Sequence, residues 1–346
     1  MATVLDSIQR ATTSQPDRLV DGHGRAITDL RISVTDRCNY KCVYCRTGNE
    51  GAVYAELPIG DYLRMARVFV SLGIEKVRLT GGEPLLRRGL MDLIRELSRL
   101  RTLDGQPLDL ALTTNGHLLE EMAQGLRDAG LGRITVSMDA VEAEKFARIT
   151  RVPGSYERVL AGIRAAKAAG LAPVKVNCVL LRGFNEDQIA AFAEFSRSEG
   201  VIVRFIEFMP LEEGRLWTLD SVVSLREIVE ALGGFRPLVR MAPNAASETA
   251  VRYTFDDGVG EIGIIAPVTQ AFCGQCSRVR LTSDGKIRTC LFSQSDHDLY
   301  GVMERGGSDD DLVEFIRRTI EKKEARHHIG EPGFLKPSRS MVHIGG

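Results

Sequence analysis

Six of the seven cysteines fall into two triplets, Cys38-x3-Cys42-x2-Cys45 and Cys273-x2-Cys276-x13-Cys290. In a reducing compartment such groups are more often metal ligands than disulfides. Three thiolates within eight residues of loop suit three corners of a [4Fe–4S] cluster better than tetrahedral zinc, which wants a fourth ligand. A zinc site completed by a distant residue is the alternative. Three ligands for four irons leave one iron open, and an open iron can bind a chelating group. The second triplet repeats the arrangement and encloses Arg278, Arg280 and Lys286, cations that predict an anionic substrate. Cys178, alone in the apolar stretch 174–181, reads as an inert core residue.

Positioning these groups requires a scaffold, and its periodicity is legible. Short β-branched segments at 30–35, 76–80, 109–114, 133–138, 174–181 and 201–208 predict buried strands. Between them, apolar residues near i, i+3 and i+4 predict helices over 62–72, 90–100, 118–129, 156–169 and 187–198, with Gly73, Gly130, Gly170 and Gly200 as C-terminal stops. Alternating β and α implies parallel strands with right-handed crossovers. Six units are too few to close an eight-stranded barrel, so an α/β fold of the open, partial (β/α)6 TIM type is expected, with a flat doubly wound sheet as the alternative. Past residue 235 come shorter β-like pieces (250–255, 261–267, 278–282) and one late helix opened by a Ser308/Asp311 capping box. The expected division is a barrel over 1–235 and a smaller domain over 236–346. The latter carries the second cluster and ends in an extended tail, 331–346, finishing Gly345-Gly346.

In a parallel α/β array the C-terminal ends of the strands converge on one rim. Each predicted strand delivers polar groups there: Thr35-Asp36-Arg37, Thr80-Gly81-Gly82-Glu83-Pro84, Thr113-Thr114-Asn115-Gly116, Ser137-Met138-Asp139, Lys175-Val176-Asn177 and the run from Arg204 to Met209. Any one could be a turn; six in succession predict an active rim. Composition narrows the classes further. With 346 residues, 44% hydrophobic, 26% charged and a net charge of -1, the chain has enough material for about two domains and no general attraction to polyanions. Neither a P-loop nor an apolar run of about 20 residues is present. The stretch from Met1 to Arg10 has no signal-peptide core, so the expected location is the cytoplasm. An RNA-binding module is disfavoured by 6% aromatics without basic–aromatic interleaving.

The first triplet followed by Gly81-Gly82-Glu83-Pro84 resembles the radical S-adenosylmethionine (SAM) superfamily. That resemblance implies SAM chelated at the open iron and cleaved by one electron to methionine and a 5′-deoxyadenosyl radical. A longer resemblance, from Asp21 to Gly346, is to the GTP 3′,8-cyclases of molybdenum cofactor biosynthesis. It is carried by LRISVTDRCNYKCVYC, KVRLTGGEPLLR, LTTNGHLL, RITVSMDA, VKVNCVLLRGFNEDQ, VRFIEFMP, FCGQCSRVRLTSDGKIRTCL and the terminal Gly-Gly. It implies two [4Fe–4S] clusters and abstraction of hydrogen from C3′ of GTP, with C3′ joined to C8 to give 3′,8-cyclo-7,8-dihydro-GTP. SAM contacts would fall on Tyr44, Gly82, Ser137 and Met209. GTP contacts would fall on Arg31, Arg78, Thr113, Lys175, Arg278, Val279 and Arg280, with Arg204 a further cation, and Gly345 and Gly346 would reach the reacting centre. The expected partners are a cyclic pyranopterin monophosphate synthase taking the product, a flavodoxin- or ferredoxin-type electron donor and a second copy of the chain. Nucleic acid and membrane are not expected. The chain departs from the family's usual Met-Pro after the third cysteine, having Arg46-Thr47. A radical SAM peptide-maturing enzyme is the nearest rival, though such enzymes usually carry more cysteines.

Overall fold

The computed structural model describes residues 18–45, 53–212 and 216–345. Six βα units come first: β1 (Asp29–Ser33) with α1 (Ile59–Ser71), β2 (Lys76–Thr80) with α2 (Leu90–Ser98), and β3 (Asp109–Thr114) with α3 (Leu119–Asp128). They continue as β4 (Arg133–Ser137) with α4 (Ala143–Thr150) and α5 (Ser155–Ala168), β5 (Val174–Leu180) with α6 (Ile189–Glu199), and β6 (Ile202–Glu207) with α7 (Leu225–Phe235). Then follow β7 (Leu238–Arg240), β8 (Val251–Phe255), β9 (Glu261–Ile265), β10 (Arg278–Leu281), β11 (Lys286–Arg288) and β12 (His297–Asp298). The chain closes with α8 (Leu299–Glu304), α9 (Asp309–Glu321) and α10 (Met341–Ile344).

All six predicted strands and five predicted helices of the barrel form. Two further barrel helices were not anticipated, nor was the short α8. α4 is one short amphipathic piece behind the polar rim, and α7, although opened by a Ser224/Glu227 capping box, runs into Gly233-Gly234. α9 has the expected box: Asp311 N–H donates to Ser308 Oγ at 3.2 Å and Ser308 N–H to Asp311 Oδ2 at 2.8 Å. The tail ends in the single turn α10 and does not run extended throughout.

One sheet holds all twelve strands in the order β12-β11-β10-β1-β2-β3-β4-β5-β6-β9-β8-β7. β10 pairs parallel with β1 and β9 parallel with β6, so strands from beyond residue 235 extend both edges of the six-stranded array. No ladder joins the two ends among the described residues, and the sheet is an open, curled one.

A parallel sheet covered on both faces reads as unbroken apolar runs. Here the strands alternate instead. Leu30, Ile32, Val77, Leu79, Leu112, Ile134, Val136, Val176, Val203 and Phe205 are buried in the core shared with the helices. Their neighbours Arg31, Arg78, Thr113, Arg133, Lys175 and Arg204 line a cavity of about 600 Å³ on the other face. The helical layer is ordinary: α2, for example, buries Leu90, Leu93, Ile94 and Leu97, one stripe at helical spacing. Burial on one face thus fixes which residues face the hollow on the other.

Candidate active site

The first cysteine loop leaves β1 at its C-terminal end, and Cys38, Cys42 and Cys45 line the cavity there. The loop is seated on the Gly-Gly turn after β2. Gly82 N–H donates to Thr35 O and Glu83 N–H to Arg37 O, both at 2.7 Å. A Cβ on Gly82 would stand 2.3 Å from Arg37 O, and one on Gly81 2.6 Å from Thr35 O, so both glycines are required by loop docking alone. Glu83 is fully buried and accepts from Thr114 Oγ1 (2.7 Å), Asn115 N–H (2.7 Å) and Leu85 N–H (2.9 Å), which ties β2 to the end of β3. Burial raises its carboxyl to about 7 against those three hydrogen bonds. Tyr44 hydroxyl donates to Asp139 Oδ2 at 2.7 Å, and Val179 N–H to Asp139 Oδ1 at 2.8 Å. That fixes the Tyr44 ring at the cavity wall beside Ser137 and Met209. His117 also reaches this loop, but its Nδ1 is engaged with Tyr40 hydroxyl at 3.1 Å.

The second triplet lies at the opposite end of the strands, as pairing register shows. Asp29, the first residue of β1, is level with Arg278, the first of β10, and Cys276 precedes that point by two residues. β11 runs antiparallel to β10 with Arg288 beside Arg280, so Cys290 returns to the same end as Cys276. The two triplets are therefore separated by at least the length of β1, roughly 13 Å at about 3.3 Å per residue. Cys276 Sγ accepts from Arg278 Nη2 at 3.3 Å, and the Arg278 guanidinium lies 5.0 Å from the Phe272 ring centroid. Lys323 Nζ donates to Arg278 O at 3.0 Å and to Thr289 O. Burial pushes the Cys276 thiol up, but Arg278 and Lys323 outweigh it and bring it to about 6.

Between the triplets runs a basic belt. Arg280, Arg31 and Arg78 are in register on adjacent strands. Arg78 Nη1 donates to Thr113 Oγ1 (3.1 Å) and Thr135 Oγ1 (3.2 Å), and Arg204 Nε to Asn177 Oδ1 (2.9 Å). Burial and then Arg31 lower both Arg78 and Arg280 to about 9, and burial followed by Arg204 and Arg133 lowers Lys175 to about 8. Guanidinium groups remain charged at neutral pH. Moreover, the buried Nε atoms of Arg31 and Arg280 have no hydrogen-bond partner among the described residues. Like charges packed side by side with unused donors are unfavourable unless an anion joins them.

Residues 32–196 match the family model described as the radical SAM superfamily and residues 201–329 that described as Molybdenum Cofactor Synthesis C. The GTP 3′,8-cyclase of Rhodopirellula baltica is 42% identical over 341 residues, 96% of this chain and 93% of that one. The chain belongs to the GTP 3′,8-cyclase family. A second cyclase, from Corynebacterium glutamicum, is 43% identical over 95% of this chain and 89% of its own, and one from Peptoclostridium acidaminophilum 41% over 95% and 98%. Among solved structures, SuiB of Streptococcus suis bound to S-adenosylmethionine superposes with a TM-score of 0.63 at 14% identity, covering 91% of this chain and 78% of that one; the likeness is one of fold.

As a GTP 3′,8-cyclase the chain is a radical SAM enzyme, and its donor sets fit that chemistry. All six triplet cysteines line the cavity, and no disulfide joins them. Among the described residues no three His, Cys, Asp or Glu side chains form a compact single-ion site. Cys178, by contrast, is buried with its thiol toward Asp139 O, as a core residue should be. The residues assigned to SAM and GTP line the same cavity with one exception. Val279 points its side chain into the core, which leaves only its backbone for a ligand. Gly82 lines the cavity while held by the loop contact already described. Thr113 meets the cavity while holding Arg78, and Arg278 is engaged with Cys276. Gly345 does reach the site: a Cβ there would stand 2.3 Å from Thr80 Oγ1 and 3.2 Å from Ser33 Cβ, at the ends of β2 and β1. Gly346, Arg46 and Thr47 lie outside the described residues. Asp139 was marked as a rim residue but not as the anchor of Tyr44, and Lys323 belongs to no motif; Lys76, Arg133 and Glu248 were likewise unmarked cavity residues.

Proposed function

We propose that this chain cyclises GTP in the hollow of its barrel, with SAM at the rim end and the base at the far end. What supports the reading is one arrangement: an in-register arginine belt lying between two cysteine triplets at opposite ends of the same strands. Bound at Cys38, Cys42 and Cys45, an iron–sulfur cluster with SAM supplies one-electron cleavage of a C–S bond and a 5′-deoxyadenosyl radical. The chain's own residues do the rest by placement. Tyr44, fixed by Asp139, flanks the SAM end with Gly82, Ser137 and Met209. Arg31, Arg78, Lys175 and Arg280 neutralise the triphosphate, each charge-assisted hydrogen bond contributing about 1.5–3 kcal/mol. Cys273, Cys276 and Cys290 hold the second cluster where the guanine is anchored, with Arg278 bracing the loop. Gly345 brings unbranched backbone to the reacting carbon, where a larger residue would collide, and the family resemblance gives Gly346 the same role. Holding both reactants in one geometry is the protein's main contribution.

The finer context rests on the family resemblance. The product passes to a cyclic pyranopterin monophosphate synthase, a flavodoxin or ferredoxin supplies electrons, and the chain works in the cytoplasm as a homodimer, with the barrel ending at 235 and residues 236–346 forming the auxiliary-cluster unit. Cysteines that form no disulfide accord with a reducing compartment, and no helix among the described residues is long and apolar enough to cross a membrane. Anaerobic incubation of reconstituted protein with SAM, dithionite and GTP tests the core of the proposal. A product isomeric with GTP should form together with 5′-deoxyadenosine. Cleavage of SAM that leaves GTP intact while a peptide substrate is modified would favour the peptide-maturing rival.

A further inference from the structure

Gly345 can meet Thr80 only if the tail is held, and the tail's own contacts point to one side chain as the anchor. Arg339 is almost wholly buried, with 4% of its side chain exposed. Its two terminal nitrogens donate to the two carboxylate oxygens of Asp284 at 2.8 Å each, in the turn between β10 and β11. Its Nε lies 2.5 Å from Asp296 Oδ2, ahead of β12. The face of the same guanidinium sits 4.0 Å from the ring centroid of Tyr54. Tyr54 belongs to the return of the first cysteine loop, where Val53 N–H (2.7 Å) and Tyr54 N–H (2.8 Å) donate to Asp36 Oδ2. Asp36 in turn stands two residues before Cys38. The Tyr54 ring also meets the His343 ring of α10 edge-on, with centroids 5.2 Å apart.

We infer that Arg339 is a positioning residue: it clamps the C-terminal tail to both cysteine-bearing parts of the chain, so that Gly345 enters the cavity only when the first cysteine loop is in place. A planar fork that satisfies one carboxylate bidentately, reaches a second and stacks on an aromatic ring is work that lysine's point charge cannot repeat. The other polar tail contacts are weaker: Lys336 Nζ to Glu212 Oε1 (3.0 Å) is partly exposed, and Met341 N–H to Leu211 O (3.0 Å) is a single backbone bond. Ile344 packs with Leu211, Phe292 and Ile329, an apolar seat that does not tie the tail to the first cysteine loop. Removing the guanidinium leaves Asp296 with Arg288 and Asp284 with Lys286 at 3.7 Å, so both carboxylates keep a cation while the tail loses its ties to them. The consequence for catalysis rests on the role proposed above for Gly345; the anchoring itself does not.

The test uses the full, reconstituted chain carrying Arg339→Ala or Arg339→Lys, and measures amide exchange over 335–345, iron content and product formed per 5′-deoxyadenosine. The Ala variant should raise exchange in the tail at least about tenfold, with Lys between it and wild type. Iron and SAM cleavage should be unchanged, and product per 5′-deoxyadenosine should fall in step with the docked fraction, again about tenfold. Unchanged exchange in both variants overturns the anchor. Raised exchange with an unchanged product ratio upholds the anchor and overturns the role given to Gly345. Should Arg339→Ala fail to fold by circular dichroism, Tyr54→Leu removes the ring that both Arg339 and His343 meet, and wild-type exchange in both Tyr54→Leu and Arg339→Lys overturns the anchor equally.

Discussion

Lys175 is where charge, burial and pH meet in this site. Burial, Arg204, Arg133 and Arg78 depress its ammonium to about 8, with only Glu248 opposing, against about 10.4 for an ordinary lysine. Below about pH 8 the folded, ligand-free protein carries the full penalty. Between there and about 10.4 the unfolded chain binds more protons, so stability rises with pH. Lys175→Met should therefore raise the thermal midpoint of the GTP-free protein at pH 7 and lose that pH dependence. GTP affinity has the opposite sign, since a polyanion prefers the protonated amine: calorimetry without SAM should show Kd rising up to about tenfold per pH unit above 8, a step absent from Lys175→Met. Arg280→Ala should weaken GTP binding at least about tenfold, the loss of one charge-assisted hydrogen bond, and leave uncoupled SAM cleavage near wild type. Arg278→Ala is a less clean probe, because its guanidinium also touches Cys276. The cysteine spacing and the Gly-Gly-Glu-Pro turn were legible as chemistry because ligand types are few and local. Asp139 and Lys323 were not, since their work depends on partners 95 and 45 residues away.

At the scale of elements, each strand carries a function on one face and the core on the other. That is why periodicity located β1 to β6 within a residue or two. It could not say that β10, some 250 residues later in the chain, lies parallel beside β1, because pairing partners leave no local trace. The register matters to function, placing Arg280 beside Arg31 and the second triplet at the far end. The turn after β2 offers a sharp check. Gly82→Ala would drive a Cβ into Arg37 O, a backbone atom that cannot rotate away. The first cysteine loop should shift and iron content should drop from about eight to about four per chain, given four irons per cluster. A full complement in that variant would show that loop seating does not depend on the glycine. In the helical layer, Leu93→Ala should cost about 2–5 kcal/mol in denaturant unfolding without altering GTP affinity, since Leu93 faces away from the hollow.

Taken whole, the molecule is a single curled sheet whose two edges are both supplied by the segment after residue 235, with the tail folded back over the rim. Sequence reading separated that segment as a smaller domain because its pieces are short and irregular; pairing makes them continuous with the barrel. That open, curled arrangement lets one cavity hold a cysteine triplet at each end and an arginine belt between. Gly345→Ala, strained by both the Thr80 hydroxyl and a φ of 69°, should suppress product formation while both clusters and SAM cleavage persist. An unaltered rate would remove the tail from the reaction. If this hollow sets C3′ of GTP against the radical formed at the rim, hydrogen must pass from that carbon to the 5′-deoxyadenosyl group, and isotope transfer reads that step. With GTP deuterated at C3′, the 5′-deoxyadenosine should carry the deuterium and the cyclised product should be one mass unit lighter than the labelled GTP. Unlabelled 5′-deoxyadenosine, with the deuterium still on the recovered nucleotide, would contradict the account.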